Sequence, residues 1–164
     1  MKKLILPLVL VSMIFTSCEN KTEKTSAFDL DATKKELETW NAEFATAISN
    51  KDSVGFANLY AEDAVRMGPN APQLEGRASI VSNFAGAIKA GIGSGKLTLK
   101  DAWGDENLVT EVGVYELNAA DGSQVDKGKY ISIFKRIDGK LKPVRDIWNS
   151  DSPATAPAAP EAAK

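Results

Sequence analysis

The chain has 164 residues, of which 43% are hydrophobic and 26% charged, a composition typical of a soluble globular protein with one domain. Its formal net charge is −2 and it has no basic patch, so we expect no nucleic-acid partner. It has no histidine and one cysteine, which excludes a histidine general base, a Ser-His-Asp triad, an internal disulfide and a histidine- or cysteine-based metal site. We predict no cofactor.

The first 17 residues have the pattern of an export signal. Two lysines precede an apolar run over residues 4–15, which is too short to span a bilayer comfortably, and small residues then lead to Cys18. This pattern resembles a bacterial lipoprotein signal, in which the residue at the position of Cys18 receives the lipid. The alternative is an ordinary secretory signal with a chance cysteine. The resemblance implies a membrane-anchored protein of the bacterial cell envelope, facing the periplasm or located in the outer membrane.

Two segments of biased composition flank the predicted domain. Residues 18–30 are polar with mixed charges, which predicts a flexible tether. Residues 152–164 are rich in Pro and Ala and have no apolar periodicity, which predicts a disordered tail. We therefore expect the folded domain over residues 31–151.

Apolar spacing predicts three helices in the first half of this domain. Residues 32–49 carry one apolar stripe of helical period, with Asp31 as the predicted N-cap. A short helix capped by Asp52 or Ser53 follows, and its predicted apolar positions are Val54, Ala57 and Tyr60. Residues 67–72 form a loop by their Gly and Pro content, and a third helix runs from Arg77 to the glycine-rich stretch 90–95.

The second half of the domain alternates apolar and polar residues after Lys96, which predicts strands. The predicted strands cover residues 97–103, 108–118, 127–137 and 140–149, with turns between them. Asp138 and Gly139 form a two-residue hairpin signal. Three helices followed by an antiparallel meander predict an α+β fold, with the helices packed on one face of the sheet.

Three segments of this pattern, LYAEDAV, EGRASIVSNF and GKYISIFKRIDGKLKPVRDIWNSD, resemble the NTF2-like superfamily, also called SnoaL-like or ketosteroid isomerase-like. The last segment resembles its DUF4440 branch. The resemblance covers roughly residues 32–151 and implies a cone, in which three N-terminal helices pack on a curved antiparallel sheet and leave a pocket between them. Such a fold suggests a cavity but does not name a reaction.

The resemblance also allows a test for isomerase chemistry. The catalytic base, the tyrosine and the strand acid of ketosteroid isomerases correspond to Gly68, Phe44 and a position near Ser132. Gly68 cannot take a proton and Phe44 cannot donate a hydrogen bond. We therefore expect no steroid-type isomerisation by that mechanism.

Strand alternation and the resemblance together predict the lining of the cone. Mostly apolar walls with a few convergent polar groups are how small-molecule sites are built, although aromatics at helical spacing more often belong to a simple core. The predicted apolar lining is Trp40, Phe44, Tyr60, Phe84, Tyr130, Phe134 and Trp148, and the predicted polar points are Arg66, Ser132 and Asp146.

Asp146 has two possible roles in such a pocket. A carboxylate facing apolar walls is costly unless it is paired, so it can form a structural ion pair with Arg66. Otherwise its desolvated charge makes it a candidate catalytic base, with Tyr130 or Ser132 as the donor, or a group that binds a ligand amine or hydroxyl. The neighbouring Arg145 is expected to point out of the pocket.

The other face of the sheet is partly apolar, at Ile131, Ile133 and Ile147. A solvated sheet face would be more polar, and relatives of this fold commonly dimerise there, so we expect a homodimer.

Three functions compete. The first is a lipid-anchored, non-catalytic domain that binds a small, largely apolar ligand. The second is an enzyme of proton-transfer or hydrolytic type that uses Asp146. The third is a protein-interaction module whose cone is filled by its own side chains.

Overall fold

The computed structural model describes residues 28–153, which form three helices and one six-stranded sheet. The lipidation position Cys18, the predicted signal, most of the predicted tether and nearly all of the predicted tail lie outside these residues. In chain order the elements are α1 (Leu30–Ser49), α2 (Ser53–Asn58), β1 (Val65–Met67), β2 (Leu74–Glu75), α3 (Gly76–Lys89), β3 (Ile92–Gly104), β4 (Leu108–Ala119), β5 (Gln124–Ile137) and β6 (Lys140–Ser150). The predicted α+β class is confirmed.

The N-cap of α1 differs from the prediction. The carboxylate of Asp29 accepts a 3.0 Å hydrogen bond from the backbone amide of Ala32, so Asp29 is the cap and α1 begins at Leu30. The prediction of Asp31 is wrong because this residue lies inside the first turn. Its carboxylate stands near the positive end of the helix, where a negative charge is still favourable.

The second helix is capped as predicted, but one of its three predicted apolar positions is not buried. Asp52 accepts a 2.8 Å hydrogen bond from the backbone amide of Gly55. Val54 is 58% exposed, which contradicts its prediction as an apolar position of the buried side. Ala57 and Tyr60 are buried as predicted, and Phe56, which was not predicted, is buried as well. Six residues make fewer than two turns, too few for an apolar stripe to identify the buried face.

The sheet has the strand order β2-β1-β6-β5-β4-β3. Its four long strands pair antiparallel, as predicted, but the short β1 pairs parallel to β6 and the sheet is therefore mixed. Residue 67, predicted as the start of a loop, is the last residue of β1. Strands of two and three residues are too short to show a period, which explains why the sequence predicted neither β1 nor β2.

The third strand begins five residues before the predicted start at residue 97. Ile92 already belongs to β3, so the glycine-rich stretch starts a strand as well as ending a helix. A Cβ atom at Gly93 would lie 2.6 Å from the backbone of Ala120. The glycine therefore serves a close approach of two backbones.

The hairpin and the bulges give the sheet its shape. Asp138 and Gly139 both have positive φ, 50° and 77°, as a two-residue hairpin turn requires, which confirms the predicted turn. Register shifts interrupt the β3–β4, β4–β5 and β5–β6 pairings, and such bulges bend and twist a sheet. Helix α1 packs against β3, and α2 packs against α3. The space between helices and sheet is thereby left open.

Candidate functional site

A cavity of about 160 Å³ lies between the helices and the inner face of the sheet. Nine of the ten residues predicted to line it do so, and the tenth, Phe134, does not. Phe134 is fully buried and packs edge-on against Trp40 at 5.3 Å between ring centroids, so it belongs to the core. The predicted residues that line the cavity are Trp40, Phe44, Tyr60, Arg66, Phe84, Tyr130, Ser132, Asp146 and Trp148.

Eight further lining residues were not predicted. Phe56 lies on the short helix whose buried face the sequence did not indicate, and Ile92 lies on the unpredicted start of β3. Tyr115 and Leu117 follow the alternation of β4, which was a usable signal. The unpredicted residues are Ile48, Phe56, Asn83, Ala87, Ile92, Leu97, Tyr115 and Leu117.

The helical wall of the cavity is a set of packed aromatic rings. Phe56 and Phe84 stack at 4.0 Å between centroids, and Trp40 meets Tyr60 edge to face at 5.7 Å. The indole nitrogen of Trp40 donates a 3.2 Å hydrogen bond to the carbonyl of Leu59, which fixes the ring. Aromatic pairs in these geometries stabilise a fold by about 0.5–1.5 kcal/mol each beyond burial, so this wall is preformed.

Asp146 organises the polar end of the cavity. Its Oδ1 accepts a 2.9 Å hydrogen bond from the Ser132 hydroxyl, and its Oδ2 accepts from Arg66 Nε at 3.1 Å and from the Tyr60 hydroxyl at 3.2 Å. Burial raises the pKa of Tyr60 well above its ordinary value despite the opposing charge of Arg66, so the phenol keeps its proton and donates it. The ion pair of Asp146 with Arg66, one of its two predicted roles, is present.

Arg66 is held between the carboxylate and three aromatic rings. Its guanidinium carbon lies 4.5 Å from the ring centroid of Trp148, 5.2 Å from that of Tyr60 and 5.4 Å from that of Phe56. Burial alone would lower the pKa of Arg66, but attraction to Tyr60 and Asp146 raises it overall. The cation therefore stays charged and fixed in position. Arg145, which precedes Asp146 in β6, is exposed, as predicted.

A second buried carboxyl group, Glu111, was missed by the sequence reasoning. Its Oε1 accepts hydrogen bonds of 2.7 Å from Asn41 Nδ2 and of 2.7 Å from the Tyr130 hydroxyl. Its Oε2 and the Oδ1 of Asn41 have no hydrogen-bond partner among the described residues. Burial raises the pKa of Glu111 against the opposing effect of these two hydrogen bonds, and the charge of Asp146 adds to the rise. The alternation of β4, which places Glu111 beside inward-facing Val109, could have identified it.

None of the three positions that correspond to the isomerase catalytic groups carries a side chain that could replace the catalytic group. A Cβ atom at Gly68 would lie 2.5 Å from Cζ2 of Trp148, so the indole ring fills the place of a side chain there. Phe44 packs in the aromatic wall, and Ser132 donates its proton to Asp146. The arrangement can hold a molecule between apolar walls and a polar end.

Two further features of residues 28–153 bear on function. They contain no cluster of three or more acidic or cysteine side chains placed to hold a metal ion. None of their helices has both the length and the apolar character needed to cross a membrane.

The family comparison agrees with this architecture. A family model described as a SnoaL-like domain matches residues 41–143, well over half of the chain. A comparison with curated proteins gives no significant match.

Solved structures with the same architecture come from several bacteria. A ketosteroid isomerase-like protein from Erwinia carotovora atroseptica has a TM-score of 0.60 at 17% identity over 73% of this chain and 96% of that chain. An NTF2-like protein with a cystatin-like fold from Novosphingobium aromaticivorans has a TM-score of 0.63 at 16% identity over 76% of this chain and 86% of that chain. A protein from Catenulispora acidiphila, in complex with S-DNPA, has a TM-score of 0.63 at 16% identity over 74% and 95% of the two chains.

These identities are low, so the likeness shows the fold alone. The predicted NTF2-like architecture is confirmed. The narrower DUF4440 assignment and the lipoprotein signal stay predictions.

Proposed function

The chain belongs to the SnoaL-like domain family, and from that premise we propose that its cavity binds a small, largely apolar ligand without catalysing a reaction. The observation that carries the proposal is the cavity itself, with aromatic walls and polar groups gathered around Asp146. Small-molecule sites have this composition. A solved structure of the same fold, from Catenulispora acidiphila, is in complex with S-DNPA, which supports the proposal that this fold binds ligands.

The state of Asp146 favours binding over proton transfer. A general base needs a free lone pair within reach of the proton that it removes. Both oxygens of Asp146 already accept hydrogen bonds, from Ser132 on one side and from Arg66 and Tyr60 on the other. One lone pair of Oδ1 stays free, but the ion pair and the three hydrogen bonds stabilise the charged carboxylate and so oppose its protonation by a substrate.

The unfilled space argues against a cone that serves only as a protein-interaction module. The side chains of residues 28–153 leave about 160 Å³ open. An apolar cavity of about 150 Å³ is large enough to take up benzene. We therefore expect a ligand with a body of about one ring.

The proposed location is the surface of a membrane in the bacterial cell envelope, with the lipid attached to Cys18. The apolar run before Cys18 and the small residues beside it support this location. The test is to express the full chain and its Cys18→Ser variant and to separate membranes from the soluble fraction. We expect the unaltered chain in the membrane fraction and the variant in the soluble fraction. The same distribution for both would contradict the anchor.

The binding proposal is tested with toluene as an apolar probe. The Cys18→Ser chain avoids detergent, which would compete for the cavity, and leaves every described residue unchanged. We expect saturable binding by calorimetry and a rise of the unfolding temperature with toluene concentration, because a ligand of the folded state stabilises it by mass action.

A matched pair of variants on α3 locates that binding. Ala87 lines the cavity, so Ala87→Phe should abolish toluene binding by filling the space. Ala78 is exposed on the same helix, so Ala78→Phe should leave binding unchanged. If toluene does not bind, or if both variants bind it equally well, the proposal is wrong.

A further inference from the structure

Four hydroxyl groups line the cavity, and each donates its hydrogen bond to a carboxyl group of the protein. Tyr60 and Ser132 donate to Asp146, Tyr130 donates to Glu111 and Tyr115 donates to Asp126. A hydroxyl group has one donor hydrogen and two acceptor lone pairs. Each of these hydroxyls can therefore offer a ligand only an acceptor.

The direction of the Tyr130 proton follows from its neighbours. Oε1 of Glu111 receives a 2.7 Å hydrogen bond from Tyr130 and another of 2.7 Å from the amide of Asn41. When Oε1 carries no proton of its own, it can only accept, so the hydrogen between Tyr130 and Oε1 comes from the phenol. This assignment holds whether Glu111 is charged or protonated on its other oxygen.

The donors at the polar end come from Arg66. Its Nε donates to Asp146 and the Tyr60 hydroxyl is a further hydrogen-bonding neighbour, but Nη1 and Nη2 carry four N–H groups between them, so donors remain for a ligand. The side chain lines the cavity and is 11% exposed. A guanidinium group donates and never accepts. The amide of Asn83, which can do both, belongs to an exposed residue and lies at the edge of the cavity.

We propose that the cavity selects neutral ligands whose polar head carries an acceptor and a donor together, such as a primary carboxamide on an apolar ring. The acceptor would meet the free nitrogens of Arg66, and the donor would meet the lone pairs of Tyr130 and Ser132. This inference rests on the proposed binding function and names the class of its ligand.

A carboxylate fits the same site poorly, although the site contains an arginine. Its two oxygens accept and cannot donate, so one of them would face the lone pairs of Tyr130 or Ser132. The charge of Arg66 is already balanced by Asp146 at 3.1 Å, and a second anion would be repelled by that carboxylate. A head group with acceptors alone, such as a ketone, would leave the hydroxyl lone pairs unpaired.

The test compares benzamide, benzoate, acetophenone and toluene on the Cys18→Ser chain at neutral pH by calorimetry. Benzamide should bind about tenfold or more tighter than toluene, because each added hydrogen bond contributes a factor of a few, and tighter than acetophenone and benzoate. Tyr130→Phe removes one acceptor and should weaken benzamide binding by a factor of a few, with toluene binding nearly unchanged. The ranking of the four probes on the unaltered cavity does not depend on that variant.

The other possible results distinguish failure of this inference from failure of the proposed binding function. Equal affinity for toluene and benzamide would overturn this inference and leave the proposed binding function intact. Tightest binding of benzoate would overturn it in favour of anion recognition by Arg66, and tightest binding of acetophenone would show that the hydroxyl acceptors play no part. Failure of all four probes to bind would overturn both the inference and the proposed function.

Discussion

The indole ring of Trp148 occupies the space that a side chain at Gly68 would need. A Cβ atom at position 68 would lie 2.5 Å from Cζ2 and 2.9 Å from Cη2 of that ring. The same ring system also contacts Arg66, whose guanidinium carbon lies 4.5 Å from its centroid. The absence of a side chain at position 68 thus determines where Trp148 lies, and Trp148 helps to hold the cation of the cavity.

Gly68→Ala should therefore disturb the polar end of the cavity. The added methyl group forces the indole to shift, and overpacking of this kind costs about 1–3 kcal/mol of unfolding free energy. Chemical denaturation measures the loss, and a change in tryptophan fluorescence of the folded protein reports the displaced ring. Gly86→Ala is the control, because nothing lies within 4 Å of its Cβ position on α3, and it should stabilise the helix by about 0.5–1 kcal/mol. Unchanged stability and fluorescence for Gly68→Ala would contradict the argument.

The helices and long strands could be predicted because each shows its own period over many residues. Helix α1 and the strands from residue 108 onward have 11 residues or more, long enough for a stripe or an alternation to stand out. The short strands β1 and β2 are held by their partners and leave no pattern of their own. The parallel pairing of β1 with β6 is a tertiary contact, and a local pattern cannot reveal it.

The lining of the candidate site could be predicted where an aromatic or polar residue lies on the inward face of a predicted strand. Strand alternation placed Asp146 and Trp148 inside, and the structure agrees. Phe134 satisfies the same alternation and does face inward, but it packs edge-on against Trp40 in the core and does not line the cavity. The contact of Asn41 with Glu111 joins residues 70 positions apart, and only the folded chain shows it.

Glu111 predicts a specific pH dependence of stability. Its pKa is raised in the folded protein by burial, so the folded state holds this proton at pH values where the unfolded chain has lost it. The contribution of Glu111 to the free energy of unfolding is therefore greatest below the ordinary glutamate pKa and falls as the pH rises through the raised value.

Glu111→Gln should remove this loss of stability at high pH. The glutamine oxygen can accept from Asn41 and Tyr130 as Oε1 does, and its amide nitrogen supplies a donor for Asn41 Oδ1, which lacks one among the described residues. We expect the variant to match the unaltered chain at low pH and to exceed its stability by about 1–3 kcal/mol at high pH, measured by urea denaturation across the range. Glu116→Gln, at an exposed position of the same strand, is the control and should leave the pH profile almost unchanged. If the unfolding free energy of Glu111→Gln changed with pH in the same way as that of the unaltered chain, Glu111 would be ionised in the folded protein at no cost in stability.

Removal of the buried Asp146 carboxylate should be far more costly than removal of an exposed one. Asp146→Ala leaves the buried cation of Arg66 unpaired and three donors unsatisfied, and breaking such a pair costs about 3–5 kcal/mol. Glu36→Ala removes the exposed ion pair with Arg136 and should cost at most about 1 kcal/mol. The measurement is the unfolding free energy of each variant. Equal losses would mean that water, and not Arg66, stabilises Asp146.

The outer face of the sheet carries an apolar row that crosses four strands. Met67, Ile147, Ile131 and Val112 are successive cross-strand partners on β1, β6, β5 and β4. Ile131 is 45% exposed and Ile147 is 48% exposed. Ile133 is partly buried against the core and adds less to this surface than its place in the sequence suggests.

This row predicts that a second copy of the chain covers the outer face, because two identical apolar rows related by a two-fold axis can bury each other. We expect the Cys18→Ser chain to sediment as a dimer. Ile131→Lys places a charge at the centre of the row and should give a monomer with its fold intact, as judged by an unchanged far-UV circular dichroism spectrum. Val54→Lys introduces the same charge at an exposed apolar residue of α2, away from the sheet, and should leave the dimer in place. A monomer before any substitution, or equal dissociation of both variants, would exclude this face as the interface.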